Sequence, residues 1–155
     1  MNPRIGTPGV TVAAVIEQND RFLLVEELID GARVLNQPAG HLEAGEDLQS
    51  AVIREVREET AREFHPTALV GIYLWPMPGG DRSYLRFCFT GTAGERQASQ
   101  KLDEDILDTC WMDHAALQAH ARLRSPMVLQ CVQDYLTKPR TSLDVLRDWH
   151  EPAQA

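Results

Sequence analysis

The sequence predicts an α+β fold, an αβα sandwich in which a mixed β-sheet is flanked by helices. Segments with the alternating pattern of strands and segments with the 3.6-residue pattern of helices follow one another in mixed order along the chain. The chain has 155 residues, 43% of them hydrophobic, and no shift in composition divides it. This length suits one domain around one core, so we expect residues 1–155 to form a single domain.

The N-terminal half is expected to contain three strands and one long helix. Val10, Val12, Ala14 and Ile16 stand at alternate positions, and the turn-forming residues 18–20 separate them from the apolar run 22–25, a pattern that predicts a β-hairpin. A third short strand covers residues 33–35. The helix is expected from about Asp47 to Thr60, with a buried stripe made of Leu48, Val52 and Val56.

The C-terminal half is expected to add three strands and two helices. The strands are predicted at residues 69–75, 83–90 and 109–112. Asp113 is the expected cap of a helix that reaches Ala121, and Ser125-Pro126 is typical of the start of a helix over residues 127–136. The tail, residues 137–155, is either a short helix around 143–149 or partly disordered.

Composition excludes several classes of protein. The formal charge is −8 and no run of Lys or Arg exists, which argues against a polynucleotide partner. The N-terminus lacks the pattern of a signal peptide, and no apolar stretch is long enough to span a membrane. The three cysteines, Cys88, Cys110 and Cys131, are widely spaced among apolar neighbours, as reduced core thiols are. We therefore expect a soluble, cytoplasmic protein without a membrane partner.

Three glutamates of the predicted long helix are neighbours on its surface. Glu58 and Glu59 follow Glu55 by three and four residues, so the three carboxylates converge on one patch. Like charges in this arrangement disfavour a helix by roughly 0.2–0.5 kcal/mol per pair, and a hard cation would remove that cost. Carboxylate oxygens suit Mg²⁺, and Mn²⁺ as well, so the pattern predicts a divalent metal site.

The alternative is a solvated acidic helix whose glutamates pair with Arg54, Arg57 and Arg62. A surface helix does not require Gly40 and Glu46 at their fixed distances upstream, and both are present. Their coincidence with the glutamate pattern favours the metal site.

The segment from Gly40 to Arg62 resembles the Nudix box, which has Gly, Glu, Arg-Glu, an aliphatic residue and Glu-Glu at these intervals. Val56 fills the aliphatic position within the box. Two positions depart from the pattern, because Ala61 stands where the family has Gly and Arg62 where it has an aliphatic residue. Since Ala adopts a positive φ less readily than Gly, we expect the helix to continue toward Phe64 before it turns.

The resemblance implies a Nudix fold and roles for the residues of the box. Glu55, Glu58 and Glu59 would bind the metal, Glu55 would also be a candidate base, and a backbone carbonyl of Ala39 or Gly40 would add an oxygen ligand. Arg54 would orient a carboxylate for catalysis, and Glu46 and Gly40 would support the ligands. Outside the box, Glu104 or Asp105 is a candidate for an additional base or ligand, the alternative being a merely solvated acidic loop.

Segments outside the box, spread over most of residues 9–136, resemble the NudJ-type phosphatases of the Nudix superfamily. Such enzymes are associated with Mg²⁺-dependent release of orthophosphate from nucleoside tri- and diphosphates and from hydroxymethylpyrimidine pyrophosphate of the thiamine pathway. The expected partner is thus a small phosphorylated substrate, bound by a monomer or homodimer. The polar candidates for substrate contact are Gln37, Arg86 and Arg124, and the aromatic candidates are Trp75 and Tyr84.

Each of these substrate residues also has a structural interpretation, since Trp75 and Tyr84 suit cross-strand packing and Arg86 suits a surface ion pair. Two rival functions remain open at this point. One is an ADP-ribose or dinucleotide pyrophosphatase of the same superfamily. The other is a Nudix domain that binds a nucleotide without turnover.

Overall fold

The computed structural model describes residues 7–120 and 122–149. This part of the chain contains eight strands, three α-helices and one 3₁₀ helix. The strands are β1 (Gly9–Val15), β2 (Glu17–Gln18), β3 (Arg21–Ile29), β4 (Ala32–Asn36), β5 (Ala39–His41), β6 (Phe64–Pro76), β7 (Ser83–Ala93) and β8 (Ile106–Met112). The helices are α1 (Leu48–Thr60), α2 (His114–Ala119) and α3 (Pro126–Thr137), and the 3₁₀ helix is Leu143–Val145.

The first sheet has the strand order β5-β1-β7-β6. It is mixed, because β1 and β7 are parallel, whereas β1 and β5 are antiparallel and so are β6 and β7. One face packs against α1 through a cluster that includes Val12, Ala14 and Val56. The opposite face packs against α3 through a second cluster that includes Ala13, Cys88 and Cys131. Helices on both faces confirm the predicted α+β sandwich with a mixed sheet.

The second sheet is built on β3, which pairs with β2, β4 and β8. The predicted hairpin is only partly correct, because just the two residues of β2 pair with the start of β3. Asn19 and Asp20 both have positive φ (53° and 59°), as the tight turn of a two-residue hairpin requires. The longer strand β1 joins the first sheet instead, since its four residues from Val12 to Val15 are buried and need cover on both faces.

Helix α1 begins and ends for identifiable reasons. The side chain of Asp47 caps its start by accepting from the Ser50 N–H at 2.7 Å. The expectation that the helix continues toward Phe64 is wrong, because Ala61 takes the left-handed conformation (φ 54°, ψ 36°) and ends it. The left-handed conformation at Ala61 lets the chain reverse into β6. It is held by a hydrogen bond in which the Ala61 carbonyl accepts from the Gln97 N–H at 2.8 Å. Tertiary pairing thus holds Ala in a conformation that costs roughly 1–2 kcal/mol.

The second departure from the box, Arg62, is also accommodated. Its guanidinium lies over the Trp111 ring, 5.4 Å from the centroid, and Nη1 donates to the Gly94 carbonyl at 2.8 Å. A long side chain with an apolar stem therefore occupies the position of an aliphatic residue.

The C-terminal elements agree with the prediction in type and differ in length. Strands β6 and β7 extend beyond their predicted bounds, and α2 ends at Ala119. Ser125 caps α3 as predicted, with Pro126 in its first turn. The tail is attached at Thr141, which exchanges two backbone hydrogen bonds of 2.9 Å with Leu69. In place of the predicted helix around 143–149 there is only the 3₁₀ helix Leu143–Val145. The predicted end of α2 at Ala121 and residues 150–155 of the tail lie outside the described residues. No helix in the described part of the chain is long and apolar enough to span a membrane.

Replacing Ala61 by Gly is expected to change the free energy of unfolding by less than about 1 kcal/mol, because relief of left-handed strain offsets the lost buried methyl group. Ala51 is equally buried but lies inside α1, so Ala51→Gly should cost about 1.5–2 kcal/mol. Urea unfolding of both variants measures the difference. Equal destabilisation would contradict the strained helix end.

Candidate active site

Two carboxylates are buried where α1 meets the edge of the first sheet. Val52 and Val56 are fully buried against the sheet, which holds this face of the helix in place. Glu55 and Glu59, one turn apart, are only 8% and 7% exposed. A buried carboxylate without a cation is costly, so this edge is the first candidate for a functional site.

Gly40 permits the closest approach between the helix and the sheet. A Cβ atom built at this position would overlap the carboxyl group of Glu55. Only glycine therefore lets β5 pass directly beside that carboxylate. Burial raises the pKa of Glu55, and the hydrogen bond from Arg54 partly opposes this rise.

Arg54 organises the acidic side chains around it. Its Nε and Nη2 donate to the two carboxylate oxygens of Glu46 at 2.6 and 3.0 Å, a bidentate pair. Nη1 donates to Glu55 at 2.7 Å and to Glu58 at 3.1 Å, and Nη2 also donates to the His41 carbonyl at 3.0 Å. The bond to Glu46 is the main cause that raises the pKa of Arg54. The guanidinium is thus fully engaged by the protein and has little capacity left for a substrate.

Glu59 has the most perturbed carboxyl group of the site. Burial raises its pKa to about 9, and the negative charges of Glu55, Glu27 and Asp103 add to the rise. The Ala39 N–H opposes it by donating to Oε2 at 3.0 Å. Without a bound cation this carboxyl group keeps its proton at neutral pH.

The backbone of β5 directs one carbonyl toward these carboxylates. Leu42 N–H donates to the Val10 carbonyl and Ala14 N–H to the Pro38 carbonyl, both at 3.0 Å. The alternation of antiparallel pairing then turns the polar groups of Gly40 toward β1 and those of Ala39 away from it. The Ala39 carbonyl therefore lies on the open edge of the sheet, on the side where its N–H meets Glu59, whereas the Gly40 carbonyl is directed into the sheet.

The residues at this edge fit a hard divalent cation. Glu55, Glu58, Glu59 and the Ala39 carbonyl offer only oxygen donors, and burial raises the pKa of Glu55 and Glu59 by disfavouring their ionised forms, a cost that a bound cation would offset. Among the described residues, no group of three or more His, Cys, Asp or Glu side chains is arranged so that it could hold a metal ion by itself. An incomplete protein shell suits Mg²⁺, which keeps several waters and shares substrate phosphates.

Asp103 is an acidic neighbour of the site that sequence reasoning missed. Its N–H donates to the Glu58 carbonyl at 3.0 Å, and its negative charge raises the pKa of both Glu55 and Glu59. The predicted residues Glu104 and Asp105 lie in the turn before β8 and are exposed, as Asp103 is, and their side chains make no hydrogen bond within the described residues. Nothing in the run LDEDILD distinguishes these three acids, because the turn alone decides which one faces α1.

A cavity of about 300 Å³ lies on the other face of the sheet and reaches Ala39 and Gly40. One wall is aromatic, since the Trp75 and Tyr84 rings are nearly parallel with centroids 6.3 Å apart. His41 continues this wall, 6.1 Å from Tyr84. The cavity is lined by Thr11, Glu27, Asn36, Ala39, Gly40, His41, Trp75, Met77, Tyr84, Arg86, Arg124, Ser125 and Met127.

The predicted substrate residues gather at this cavity. Trp75, Arg86 and Arg124 line it, and Gln37 lies behind the wall, where its Oε1 accepts from Arg86 Nη2 at 2.9 Å. The surface ion pair considered for Arg86 is absent among the described residues, because its side chain is buried. Glu27 was not anticipated, since it lies on β3 in the other sheet and only the packing of the two sheets brings it here.

Substitution of Gly40 by Ala should lower catalytic activity at least roughly 100-fold, because the added methyl group displaces the Glu55 carboxylate. Gly94→Ala is the matched control, since a Cβ there would meet only the Glu63 carbonyl, at 3.9 Å. Steady-state kinetics with thermal unfolding as the folding check makes the comparison. Full activity in Gly40→Ala would contradict the close approach.

Comparison with known proteins agrees with this geometry. The family model of the NUDIX domain matches residues 7–130. Phosphatase NudJ of Escherichia coli strain K12 is 37% identical over 147 residues, which cover 94% of each chain. A NUDIX hydrolase from Nitrosomonas europaea is 46% identical, with a TM-score of 0.89, over 92% of this chain and 98% of that one.

A more distant structure shares the fold alone. The NUDIX domain of Shewanella oneidensis NrtR, solved in complex with ADP ribose, is 20% identical with a TM-score of 0.65, over 84% of this chain and 90% of that one. Together with the family match and the relatives of 37% and 46% identity, the buried glutamates of the Gly40–Arg62 segment lead to one conclusion: the chain belongs to the Nudix hydrolase family.

Proposed function

We propose that this Nudix hydrolase is a Mg²⁺-dependent phosphatase that releases orthophosphate from nucleoside tri- or diphosphates or related small pyrophosphates. The main supporting observation is the pair of buried carboxylates, Glu55 and Glu59, on one side of strand β5, whose residues Ala39 and Gly40 also line a cavity with an aromatic wall and two arginines. The similarity to Phosphatase NudJ over 94% of the chain supports the choice of orthophosphate as product. Mn²⁺ has the same preference for oxygen ligands and is expected to substitute.

The groups that would hold the cation are the carboxylates of Glu55, Glu58 and Glu59 and the carbonyl of Ala39. Once bound, a divalent cation neutralises the phosphoryl oxygens and lowers the pKa of the attacking water. The net charge of −8 makes this neutralisation necessary, because the protein alone would repel a polyphosphate.

The protein residues supply positioning and proton transfer. Glu55 is the proposed base, since its carboxyl group is buried at the proposed metal-binding edge and burial raises its pKa. Arg54 holds Glu55 through the 2.7 Å bond and is itself held by Glu46. Gly40 provides the room for this arrangement. Asp103, near both buried glutamates, is a stronger candidate for an additional base or ligand than Glu104 or Asp105.

The ring of the substrate is proposed to bind in the cavity, against Trp75 and Tyr84. Arg124 lines the cavity with a side chain that is 44% exposed, and it pairs only loosely with Glu27 at 3.7 Å. It is therefore free to contact a phosphate group outside the metal site. Hydroxymethylpyrimidine pyrophosphate of the thiamine pathway is small enough for this cavity and is therefore one of the substrates to be tested.

Glu58→Gln is expected to lower phosphate release at least roughly 100-fold, as the loss of a metal ligand does. Orthophosphate release is measured over nucleoside tri- and diphosphates, sugar nucleotides, dinucleotides and hydroxymethylpyrimidine pyrophosphate, with and without Mg²⁺. Glu63→Gln is the matched control, since Glu63 is exposed just beyond the same helix. Unchanged activity in Glu58→Gln would refute the site, and two mononucleotides from a dinucleotide without orthophosphate would favour the pyrophosphatase alternative.

The metal-free protein is expected to lose stability as pH rises from about 4.5 to about 9. Glu59 ionises near its ordinary pKa of 4.5 when unfolded but near 9 when folded, so unfolding releases a proton in this window. The protonated Glu59 carboxyl group makes its full contribution to the free energy of unfolding below the unfolded-state pKa, and this contribution is lost as pH rises to the folded-state pKa. Urea unfolding at pH 5 and pH 8.5, in the presence of a chelator, measures the slope.

Glu59→Gln should flatten this pH dependence, because glutamine does not titrate, and Mg²⁺ should restore the stability of the wild type at pH 8.5. Glu63→Gln serves again as the control and should keep the wild-type slope. Identical slopes in Glu59→Gln and the wild type would show that the Glu59 carboxyl group does not carry the effect.

A further inference from the structure

Arg86 is a buried cation that forms no ion pair within the described residues. Its side chain belongs to a residue that is 9% exposed, and none of the carboxylates in the described residues forms an ion pair with it. Nη2 donates to Gln37, and the buried Nε has no partner. Nη1 makes no hydrogen bond within the described residues. Unlike Nε it is not fully buried, so it is accessible from the cavity that Arg86 lines. Because a buried charge is costly unless paired, this guanidinium is complementary to a ligand acceptor.

Gln37 fixes the direction of this guanidinium. The residue is 1% exposed, and its Nε2 donates to the Val128 carbonyl in the first turn of α3 at 2.7 Å. That bond leaves Oε1 as the only part of the amide that can meet Arg86, which it does at 2.9 Å. The arginine is thus held in one orientation before any ligand enters, an arrangement that favours recognition over general charge attraction.

The position of Arg86 separates it from the metal-binding edge. In the sheet, Arg86 of β7 pairs with Thr11 of β1, which pairs with His41 of β5. Two strand spacings, roughly 10 Å, therefore lie between the backbone of Arg86 and that of β5. Arg86 and Tyr84, two residues apart, project from the same face of the sheet, the face opposite to α1. Arg86 consequently lies beside the aromatic wall rather than beside the carboxylates of α1.

The chemistry of the cavity favours a neutral acceptor over a phosphate at this place. A phosphate carries up to two negative charges and needs several donors, whereas in Arg86 Nη2 is already bonded to Gln37 and Nε is buried, which leaves Nη1 as the main open donor. The surroundings of Arg86 include the apolar Met127 and the rings of Trp75 and Tyr84. A ring carbonyl needs only one or two N–H donors, and an arginine donates well to a carbonyl beside a ring nitrogen, as in guanine.

We propose that Arg86 binds the carbonyl edge of an aromatic ring stacked on Trp75 and Tyr84, an inference that rests on the proposed function. Arg86 thereby selects heterocyclic substrates that carry a carbonyl group. The phosphoanhydride of the same molecule then extends toward Ala39 and the glutamates. An exocyclic amine at the carbonyl position would place donor against donor and is disfavoured, so hydroxymethylpyrimidine pyrophosphate, whose ring carries an amine and no carbonyl, is expected to be a poorer substrate than a nucleotide with a ring carbonyl. Arg86 is thereby a residue of substrate specificity, separate from the residues of the reaction.

The test is binding by calorimetry, which does not require turnover. Guanosine 5′-monophosphate, adenosine 5′-monophosphate and ribose 5-phosphate share the phosphate and sugar and differ in the ring. Arg86→Gln should weaken binding of the guanosine compound at least about 10-fold. It should change binding of the ribose phosphate less than about threefold, and the adenosine compound should lose less affinity than the guanosine compound.

Arg33→Gln is the matched control, because Arg33 is an exposed arginine of β4 away from the cavity, and it should change none of the three affinities. Thermal unfolding of each variant establishes that it is folded, and the ratio of affinities within one variant does not depend on the folded fraction. An equal loss for ribose 5-phosphate would assign Arg86 to the phosphate and overturn the proposal. Equal losses for the two nucleotides, or no binding of either to the wild type, would overturn it as well.

Failure of the ring-binding proposal can be distinguished from failure of the proposed phosphatase function. If the wild type bound the guanosine compound through Arg86 but released no orthophosphate with Mg²⁺, the ring site would stand and the phosphatase proposal would fall. Orthophosphate release with no effect of Arg86→Gln on the ratio of kcat/KM for guanosine and adenosine triphosphates would give the opposite result.

Discussion

The close approach of the Glu55 carboxylate to the backbone of Gly40 is the contact on which the site depends. It places a charged group of the helix directly against an edge strand, where a methyl group would not fit. The helix can lie so near because Val52 and Val56 bury their side chains against β1 and hold the helix axis in position. Core packing thus contributes the free energy that keeps two carboxylates out of water, at a considerable electrostatic cost.

The arrangement of charges around that contact divides the work among neighbours. Arg54 satisfies Glu46, Glu55 and Glu58 by hydrogen bonds and so stabilises the metal-free cluster. Glu59 has no such partner among the described residues, and burial raises its pKa to about 9. A site in which one carboxyl group is held by an arginine and another lacks positive charge is suited to take up a cation while remaining folded without it. Network coupling of this kind also means that single substitutions will not give additive effects.

The sheet separates two chemical environments. Its edge at β5 faces the acidic side of α1, while its other face, toward α3, carries the aromatic wall and Arg86. A substrate with a phosphate end and a ring end can meet both environments only by passing around the edge strand. The short length of β5, three residues, leaves that passage open.

The sequence by itself determined much of this protein. Periodicity placed α1 and most strands, and the spacing of Gly40, Glu46, Arg54 and the three glutamates indicated the family and the edge proposed to bind metal, because these signals depend on local geometry. Tertiary structure decided the rest. It moved β1 out of the predicted hairpin into the other sheet, forced Ala61 into a glycine-like conformation, and brought Asp103 rather than Glu104 or Asp105 to the glutamates. It also joined Glu27 and Arg86 in one cavity across two sheets. Such outcomes depend on contacts between residues far apart in the chain, and a local pattern carries no information about which distant partner will be present.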